Sequence, residues 1–223
     1  MDFPKYSANS DILKAQERTI RLSVLLETPE HSASPVGKEN QFCFLPLSRE
    51  TFTPAMKIIS STFQRHPEDK PEWEMEEFLE PGKHTAELKT LDIYGPRYWV
   101  LCIKNQVVGV TGLYFKHEDD SEAVWGGWTA YDPSKTGHLS RNRYRLLRKV
   151  VYESYITKRK YLRLNTADLP EEQSANYLYD QLDFHIFMKE KAQCGKYSIL
   201  YRQIELEKLA KIFKLDQIKP EEI

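Results

Sequence analysis

One loop of the sequence has the residue types that bind an anion at the start of a helix. Residues 131–141, YDPSKTGHLSR, connect a predicted strand to a long predicted helix, and Gly137 lies close to where that helix begins. The free amides of a helix start, aided by the helix dipole, can hold a diphosphate, and a small residue lets the phosphate oxygens approach the backbone. The alternative interpretation is an ordinary turn between a strand and a helix.

The stretch at residues 161–188 changes its hydrophobic period twice and places a tyrosine beside strand ends. It begins as a mostly buried strand, continues as a helix and returns as a strand over residues 184–188. Asp168 and Glu171 have the spacing of a capping box at the helix start. Tyr179 lies on this helix just before the return, so its hydroxyl points towards the strand ends. The alternative is a core tyrosine on an apolar helix face.

These two regions must be positioned by the strands and helices that the rest of the pattern predicts. The predicted strands lie at residues 41–47, 98–103, 107–115, 123–131 and 196–206. The predicted helices lie at residues 48–63, at 141–158 and, as two short helices, within 71–91. Ser48 caps the first of these helices. Gly126 and Gly127 favour a bulge or a close backbone approach within their strand.

Composition along the chain predicts one domain of catalytic size with two flanking segments. Residues 1–40 are an N-terminal extension that ends in a linker rich in proline, serine and charge. Residues 41–206 form the domain, and residues 207–223 form a C-terminal tail that starts amphipathic and then frays. A chain of 223 residues is long enough to bury one sizeable core.

Charge and cysteine usage argue against several classes of function. The net charge of −1 gives no field that would draw the chain to nucleic acid. Cys43, Cys102 and Cys194 lack metal-ligand spacing, and we expect reduced, buried thiols in a cytoplasmic protein. The N-terminal sequence has no export signal, and no apolar run is long enough to span a bilayer. We therefore predict no metal site, no nucleic-acid partner and no membrane association.

The helix and the returning strand resemble a signature of a known enzyme superfamily. Ala175, Tyr179, Leu182 and Phe184 resemble the pattern A-x-x-x-Y-x-x-x-G-F of GNAT-superfamily N-acyltransferases, which use acetyl-CoA or a related thioester. The upstream elements follow in the order of that superfamily, so the resemblance covers residues 41–206. It implies an α/β (α+β) fold with a mixed, mostly antiparallel sheet and helices on both faces.

The same resemblance implies a reaction and the groups that would carry it. The activity would be transfer of an acetyl group from acetyl-CoA, the co-substrate, to a primary amine by direct attack in a ternary complex. Tyr179 would be the general acid, and Glu122 would be the base, acting through a water relay. The amine acceptor, a small molecule or a protein, would bind near Trp73, Trp125 and residues 71–91. The oligomeric state is left open.

The resemblance also implies which residues contact CoA. The pyrophosphate would be held at Thr136, Gly137, His138, Leu139, Ser140 and Arg141. Thr129, Ala130 and Tyr131 would pair with the pantetheine chain by strand addition. Thr136 stands where an arginine is common, Leu139 stands where a second small residue is expected, and Glu172 stands where an asparagine often contacts CoA. The pyrophosphate loop is therefore a degenerate form of the superfamily pattern.

Two further hypotheses come from these departures and from the N-terminal extension. The first is a non-catalytic protein of the GNAT fold that binds an acyl-CoA or a protein partner. The second is an effector or adaptor whose first forty residues bind a partner while the domain supports them. Both remain open at this point because a fold can carry several functions.

Overall fold

The computed structural model describes residues 42–63, 69–119, 121–135, 139–192 and 194–215, without the side chains of residues 135–141. The strands are β1 Phe42–Pro46, β2 Ile93–Ile103, β3 Gln106–Lys116, β4 Ala123–Gly126, β5 Ala130–Tyr131, β6 Tyr161–Ala167, β7 His185–Lys191 and β8 Ser198–Glu205. The helices are α1 Arg49–Thr62, α2 Pro71–Leu79, α3 Thr85–Thr90, α4 Leu139–Tyr155, α5 Gln173–Gln181 and α6 Leu206–Ile212.

All eight described strands belong to one sheet. Seven of them follow the order β1-β2-β3-β4-β6-β8-β7, and β5 pairs with β3 beside β4. Every pairing is antiparallel except that of β4 with β6, which is parallel. The predicted mixed, mostly antiparallel sheet is confirmed.

Helices cover both faces of this sheet, as predicted. On one face, α1 and α2 bury Ile59 and Met75 against Tyr98 of β2. On the other face, α4 and α6 bury their apolar positions against β6 and β8. Successive side chains of a strand point to opposite faces of the sheet and so contribute to both cores. Tyr98 belongs to the first core, and its neighbour Trp99 packs against the second.

Local signals account for most of these element boundaries. Ser48 accepts a hydrogen bond from the Thr51 amide, and the Thr51 hydroxyl accepts one from the Ser48 amide, which completes a capping box at the start of α1. The break between α2 and α3 contains Gly82 at φ +101°, a conformation that favours glycine. Lys104 and Asn105 both adopt positive φ in the tight turn of the β2–β3 hairpin.

The predicted capping box at Asp168 and Glu171 is wrong. The Asp168 carboxylate accepts a hydrogen bond of 2.6 Å from the Ser198 amide at the start of β8. No side chain caps the short 3-10 turn Pro170–Glu172 that precedes α5. The Asp168 carboxylate, which the local pattern assigned to the helix start, thus bonds instead to an amide that is distant along the chain. This bond holds the pKa of Asp168 below its ordinary value.

The packed domain continues beyond residue 206, where the tail was expected to begin. Helix α6 buries Leu209 completely, and Phe213 after it is also buried against α4. The expectation of buried thiols holds for Cys102 alone, since Cys43 and Cys194 are exposed; all three are free. None of the described helices combines the length and the apolar character that a membrane-spanning segment requires.

Candidate active site

The centre of the sheet opens where β4 and β6 separate. Three residue pairs join these parallel strands, and the last is Trp125 opposite Arg163. Beyond it, β6 continues to Ala167 beside β8 alone, while the chain after Gly126 follows β3 into β5. The two walls of the cleft are therefore the edge of β5 and the edge of β6.

A bulge creates this opening on the β4 side. Gly126 lies opposite Leu113 and Ala130 lies opposite Val110, so four residue steps on one strand match three on the other. Residues 127–129 belong to no strand. The Gly126–Gly127 pair predicts such a bulge, and the structure confirms it.

Alternation along β5 determines which main-chain groups face the cleft. The Asp132 amide donates to Val108 O at 2.8 Å, so Asp132 and Ala130 turn their main-chain groups to β3. Those of Tyr131 point the other way, into the cleft. Of the three residues predicted to pair with pantetheine, Ala130 is therefore occupied by β3. Tyr131 lies on the cleft side, and Thr129 lies in the bulge before β5.

On the β6 side of the cleft, the main-chain groups of one residue face the cleft, while those of the residues before and after it on the same side have partners. The Tyr161 amide bonds to Glu122 O on the β4 side, so the odd-numbered residues of β6 face the cleft. At Ala167, the amide donates to the Glu172 carboxylate and the carbonyl accepts from Asn176 Nδ2, both at 2.8 Å. Asn165 lies between the last β4 pair and this capped end. Its main-chain N–H and C=O therefore face the cleft.

Helix α4 is the α-helix that follows β5 along the chain, after a 3-10 turn at Pro133–Lys135. Leu139, Ser140 and Arg141 form its first turn, which leaves their amides without partners inside the helix. Thr136, Gly137 and His138 of the predicted pyrophosphate loop lie outside the described residues.

Arg143 on α4 bridges the two sides of the mouth. Its Nη2 donates to the Tyr131 hydroxyl at 3.2 Å and to Ser174 Oγ at 3.1 Å, and its Nη1 donates to Ser174 O at 3.1 Å. Tyr131 belongs to the β5 wall and Ser174 to α5. A cation is thus held over the point where the strands part.

Tyr179 lies on α5, close enough to Arg143 for its charge to act on the tyrosine hydroxyl. Its ring packs edge-on against Phe184 with the ring centroids 5.2 Å apart, and the residue is half-buried. Burial and, to a smaller extent, the nearby Glu172 carboxyl raise the pKa of Tyr179 to about 12, while Arg143 and Arg202 oppose the shift. The hydroxyl is therefore protonated at neutral pH.

Glu172 has a structural role within the α5 side of the cleft. Its carboxylate caps the Ala167 amide, and the side chain is half-buried. Burial raises its pKa, against the effect of the Ala167 hydrogen bond. The structure thus places Glu172 beside Tyr179, with one oxygen on the β6 main chain.

Glu122 lies at the far end of β4, where β4 and β6 are still paired. Its side chain is 58% exposed, and its Oε2 lies 3.6 Å from Arg163 Nη2. Four residue steps of extended chain lead from Glu122 to Gly126, a distance of about 13 Å. Glu122 thus lies before the paired part of β4, and its role as a base through a water relay stays a prediction.

The two tryptophans predicted at the acceptor site lie apart. Trp73 on α2 stacks with His84 at a centroid distance of 6.1 Å. Trp125 is buried and stacks with Tyr114 at 6.2 Å, and its indole N–H donates to Asp119. Trp125 thus packs the sheet beside the cleft.

Comparison with solved structures gives the fold a name. A GNAT-family protein from Desulfovibrio desulfuricans superimposes with a TM-score of 0.60 at 15% identity, covering 74% of this chain and 99% of that one. The chain has the GNAT fold. A GNAT-family acetyltransferase from Staphylococcus aureus Mu50 gives a TM-score of 0.52 at 15% identity, covering 74% and 99% of the two chains.

The ribosomal-protein-S18-alanine N-acetyltransferase of Escherichia coli is also similar in structure. It gives a TM-score of 0.51 at 13% identity, and the match covers 74% of this chain and 94% of that chain. No protein-family model matches the sequence, and no curated protein matches it. The likeness therefore lies in the three-dimensional arrangement of the elements.

Within the GNAT fold, the signature region of this chain has an unusual turn. Asp183 occupies the position of the signature glycine and adopts φ +67°. Aspartate tolerates this left-handed conformation better than most residues do. Its carboxylate forms an ion pair with Lys208 on α6, which ties the turn before β7 to the last helix.

One buried group beside the cleft has no signal in the sequence. Glu74 on α2 accepts hydrogen bonds from the Tyr98 hydroxyl and the Trp128 indole. An acidic residue in a short helix normally indicates a solvated position, and its two donors lie far away along the chain. Only the packing of α2 on the GNAT sheet brings these three residues together.

Proposed function

We propose that this protein is an N-acetyltransferase that moves an acetyl group from acetyl-CoA to a primary amine. The observation that supports it is the separation of β5 from β6, with the main-chain groups of Tyr131 and Asn165 turned into the gap and with Arg143 joining Tyr131 to α5, the helix that carries Tyr179. Direct attack in a ternary complex is the mechanism that such a single cleft favours, since both substrates can meet there.

The residues of the cleft fit the parts of the cofactor. Main-chain groups of Thr129, Tyr131 and Asn165 would pair with the amides of the pantetheine chain, as a strand added to an open edge. Arg143 would supply positive charge at the mouth. The amides from residue 136 to residue 141, at the start of α4, would hold the pyrophosphate.

The proposed chemistry needs one base and one acid. When bound, acetyl-CoA supplies an activated carbonyl and a thiolate leaving group. Glu122 takes the amine proton through water while the N–C bond forms, and Tyr179 gives its proton to the sulfur as the C–S bond breaks. The high pKa of Tyr179 keeps that proton in place at neutral pH.

Titration with acetyl-CoA tests the binding half of this proposal. At a ligand concentration a hundredfold above the dissociation constant, a true binder gains roughly 2.7 kcal/mol of stability. We expect this gain as a higher melting temperature and as a saturable heat in calorimetry. A protein whose melting temperature and heat stay unchanged up to millimolar acetyl-CoA would contradict the proposal.

Replacing Tyr179 with phenylalanine tests the catalytic half. We expect the turnover rate, followed by thiol release with an amine panel, to fall about 10²- to 10⁴-fold with little change in acetyl-CoA affinity. Tyr177→Phe is the matched control, because Tyr177 lies on the same helix and is 57% exposed. An unchanged rate in Tyr179→Phe would remove Tyr179 from the mechanism. The panel should include peptides that contain alanine, since the name of the Escherichia coli neighbour gives an alanine of ribosomal protein S18 as its acceptor.

A non-catalytic acyl-CoA binder is the second candidate. Thr136 and Leu139 support it, because they depart from the superfamily pattern in the pyrophosphate loop. Saturable binding of acetyl-CoA without thiol release on any amine would favour this candidate.

A further inference from the structure

Glu74 lies in a buried network that reaches the bulge of the sheet. The residue is 6% exposed, and its carboxyl oxygens accept hydrogen bonds of 2.6 Å from the Tyr98 hydroxyl and 3.1 Å from Trp128 Nε1. The Tyr98 hydroxyl in turn accepts a hydrogen bond of 3.2 Å from the Trp128 amide. One carboxyl thus holds Trp128 twice, directly by the indole and through Tyr98 by the main chain.

The bulge relies on these side chains because it lacks the regular ladder. Of residues 127–129, the Gly127 amide donates to Gly112 O at 2.8 Å, and the Thr129 hydroxyl lies 2.7 Å from the Thr111 hydroxyl. The Trp128 amide is held by the Tyr98 hydroxyl instead of by β3. The path of the chain into Thr129 and Tyr131 therefore depends on where Tyr98 and Glu74 stand.

Two glycines are fitted to the Tyr98 ring. A Cβ at Gly112 would lie 2.3 Å from a ring carbon of Tyr98, and a Cβ at Gly127 would lie 2.6 Å from its hydroxyl. Only glycine at both positions lets the ring pass under the bulge and reach Glu74. The close approach of backbone and ring makes the network a rigid support, since neither side can shift without a clash.

We propose that Glu74 is a positioning residue for acyl transfer, which holds residues 127–129 through Tyr98 and Trp128 so that Thr129 and Tyr131 face the cofactor. This inference rests on the proposed function, because the position of the bulge affects catalysis only if the thioester lies along it. Glu74 itself does not touch the reacting atoms: its carboxyl is buried and both oxygens are occupied.

The ionised form of Glu74 is the one that suits this role. A carboxylate accepts from both donors, whereas a protonated carboxyl presents an O–H on one oxygen, so that the Tyr98 hydroxyl would have to turn from donor to acceptor or the bond to the Trp128 indole would be lost. The groups that face it are the hydroxyls of Tyr98 and Tyr114 and the Trp128 indole. Burial raises the pKa of Glu74 to about 7, and within the described residues no charged side chain contributes to that shift. Acetyl-CoA binding should therefore strengthen as the pH rises through 7.

Calorimetric titration of acetyl-CoA into the full chain at pH 6, 7 and 8 tests the proposal. We expect Glu74→Gln to weaken binding on the order of fivefold to tenfold at pH 8, because an NH2 donor replaces one of the two oxygens that accept from Tyr98 and Trp128. We also expect the difference from wild type to shrink towards pH 6. Comparing the two proteins cancels the titration of the ligand's own phosphate.

Two further variants separate positioning from a general loss of stability. Trp128→Phe removes the indole N–H and keeps an aromatic ring, so it should weaken binding in the same direction. Met75→Leu is the control, because Met75 is a fully buried neighbour of Glu74 on α2 and the change conserves volume. In Tyr98→Phe, hydrogen exchange at the Trp128 amide should become faster, since its acceptor is lost.

The outcomes distinguish this inference from the proposed function. If wild type fails to bind acetyl-CoA, the proposed function is wrong. If wild type binds and Glu74→Gln has the same affinity at every pH, only the positioning role is overturned. A turnover rate that falls by about 10²-fold or more with unchanged affinity would also overturn it, because that result describes a base.

Discussion

At the residue scale, Glu74 has a cost in the folded state that depends on pH. Its folded pKa of about 7 lies above the ordinary value of 4.5 because burial disfavours the charged form. Between these two pH values the folded state binds more protons than the unfolded state. The contribution of Glu74 to the free energy of unfolding therefore falls as the pH rises from about 4.5 to about 7. Outside that range of pH this contribution is constant.

This sign leads to a stability prediction for Glu74→Gln. The variant cannot ionise, so its unfolding free energy relative to wild type should rise by about 3 kcal/mol between about pH 4.5 and pH 8. Urea unfolding of both proteins at pH 5, 6, 7 and 8 measures the difference. A difference that stays constant over this range would mean that the Glu74 carboxyl titrates at its ordinary pKa. Because this comparison of unfolding free energies needs no ligand, its result does not depend on whether the protein is an enzyme.

At the scale of elements, the shape of the cleft depends on the bulged segment between β4 and β5. The strand leaves β6 after Trp125 and gains one residue against β3, and the Tyr98 ring fills the space below. The two adjacent glycines of this passage have different surroundings. A Cβ at Gly127 would meet Tyr98 and the Gly112 backbone, whereas a Cβ at Gly126 would find ordinary contacts at 3.6 Å and beyond.

We therefore expect Gly127→Ala and Gly126→Ala to differ in stability. Gly127→Ala should lower the free energy of unfolding by about 1–3 kcal/mol, the usual effect of overpacking. Gly126→Ala should change it by less than about 0.5 kcal/mol. Chemical denaturation of the two variants at pH 7 gives both values. Equal effects would show that the Tyr98 ring moves aside freely, which would weaken the case for a rigid bulge.

At the scale of the whole molecule, the last helix closes the second core. Helix α6 lies against α4. Its buried residues form one hydrophobic cluster with those of β6 and with Leu182 and Phe184, which precede β7. Lys208 on its outer side pairs with Asp183 in the turn before β7. The face of the sheet behind the cleft is thus completed by residues after 206. The domain therefore includes a segment that composition alone assigned to a tail.

A core substitution in α6 should destabilise the entire domain. Leu209 is completely buried, so Leu209→Ala should lower the free energy of unfolding by about 2–5 kcal/mol. Glu207→Ala is the control on the same helix, because Glu207 is exposed, and it should cost less than about 0.5 kcal/mol. Thermal unfolding followed by circular dichroism measures both. A Leu209→Ala protein as stable as wild type would mean that residues 206–215 are not part of the cooperative unit.

The sequence by itself determined the order and type of most elements, although it did not predict the division of residues 123–131 into β4 and β5 or the helix α6. The Ser48 cap, the break at Gly82 and the turn at Lys104 and Asn105 depend on residues that are neighbours along the chain, so a local pattern is enough to predict them. The same holds for the bulge near Gly127. The likeness to the GNAT fold followed from that order, because the signature around Tyr179 is also local.

Only the tertiary structure decided which groups meet at the cleft. Tyr98 and Trp128 are 24 and 54 residues from Glu74, and Arg143 is 31 residues from Ser174, so no periodicity relates them. Asp168 also shows that a local pattern can fail, since its carboxylate bonds to the Ser198 amide and does not form the helix cap that the pattern predicts. Contacts of this range depend on how the sheet brings distant segments together. A hydrogen-bond donor or acceptor binds whichever partner the packed chain places within reach.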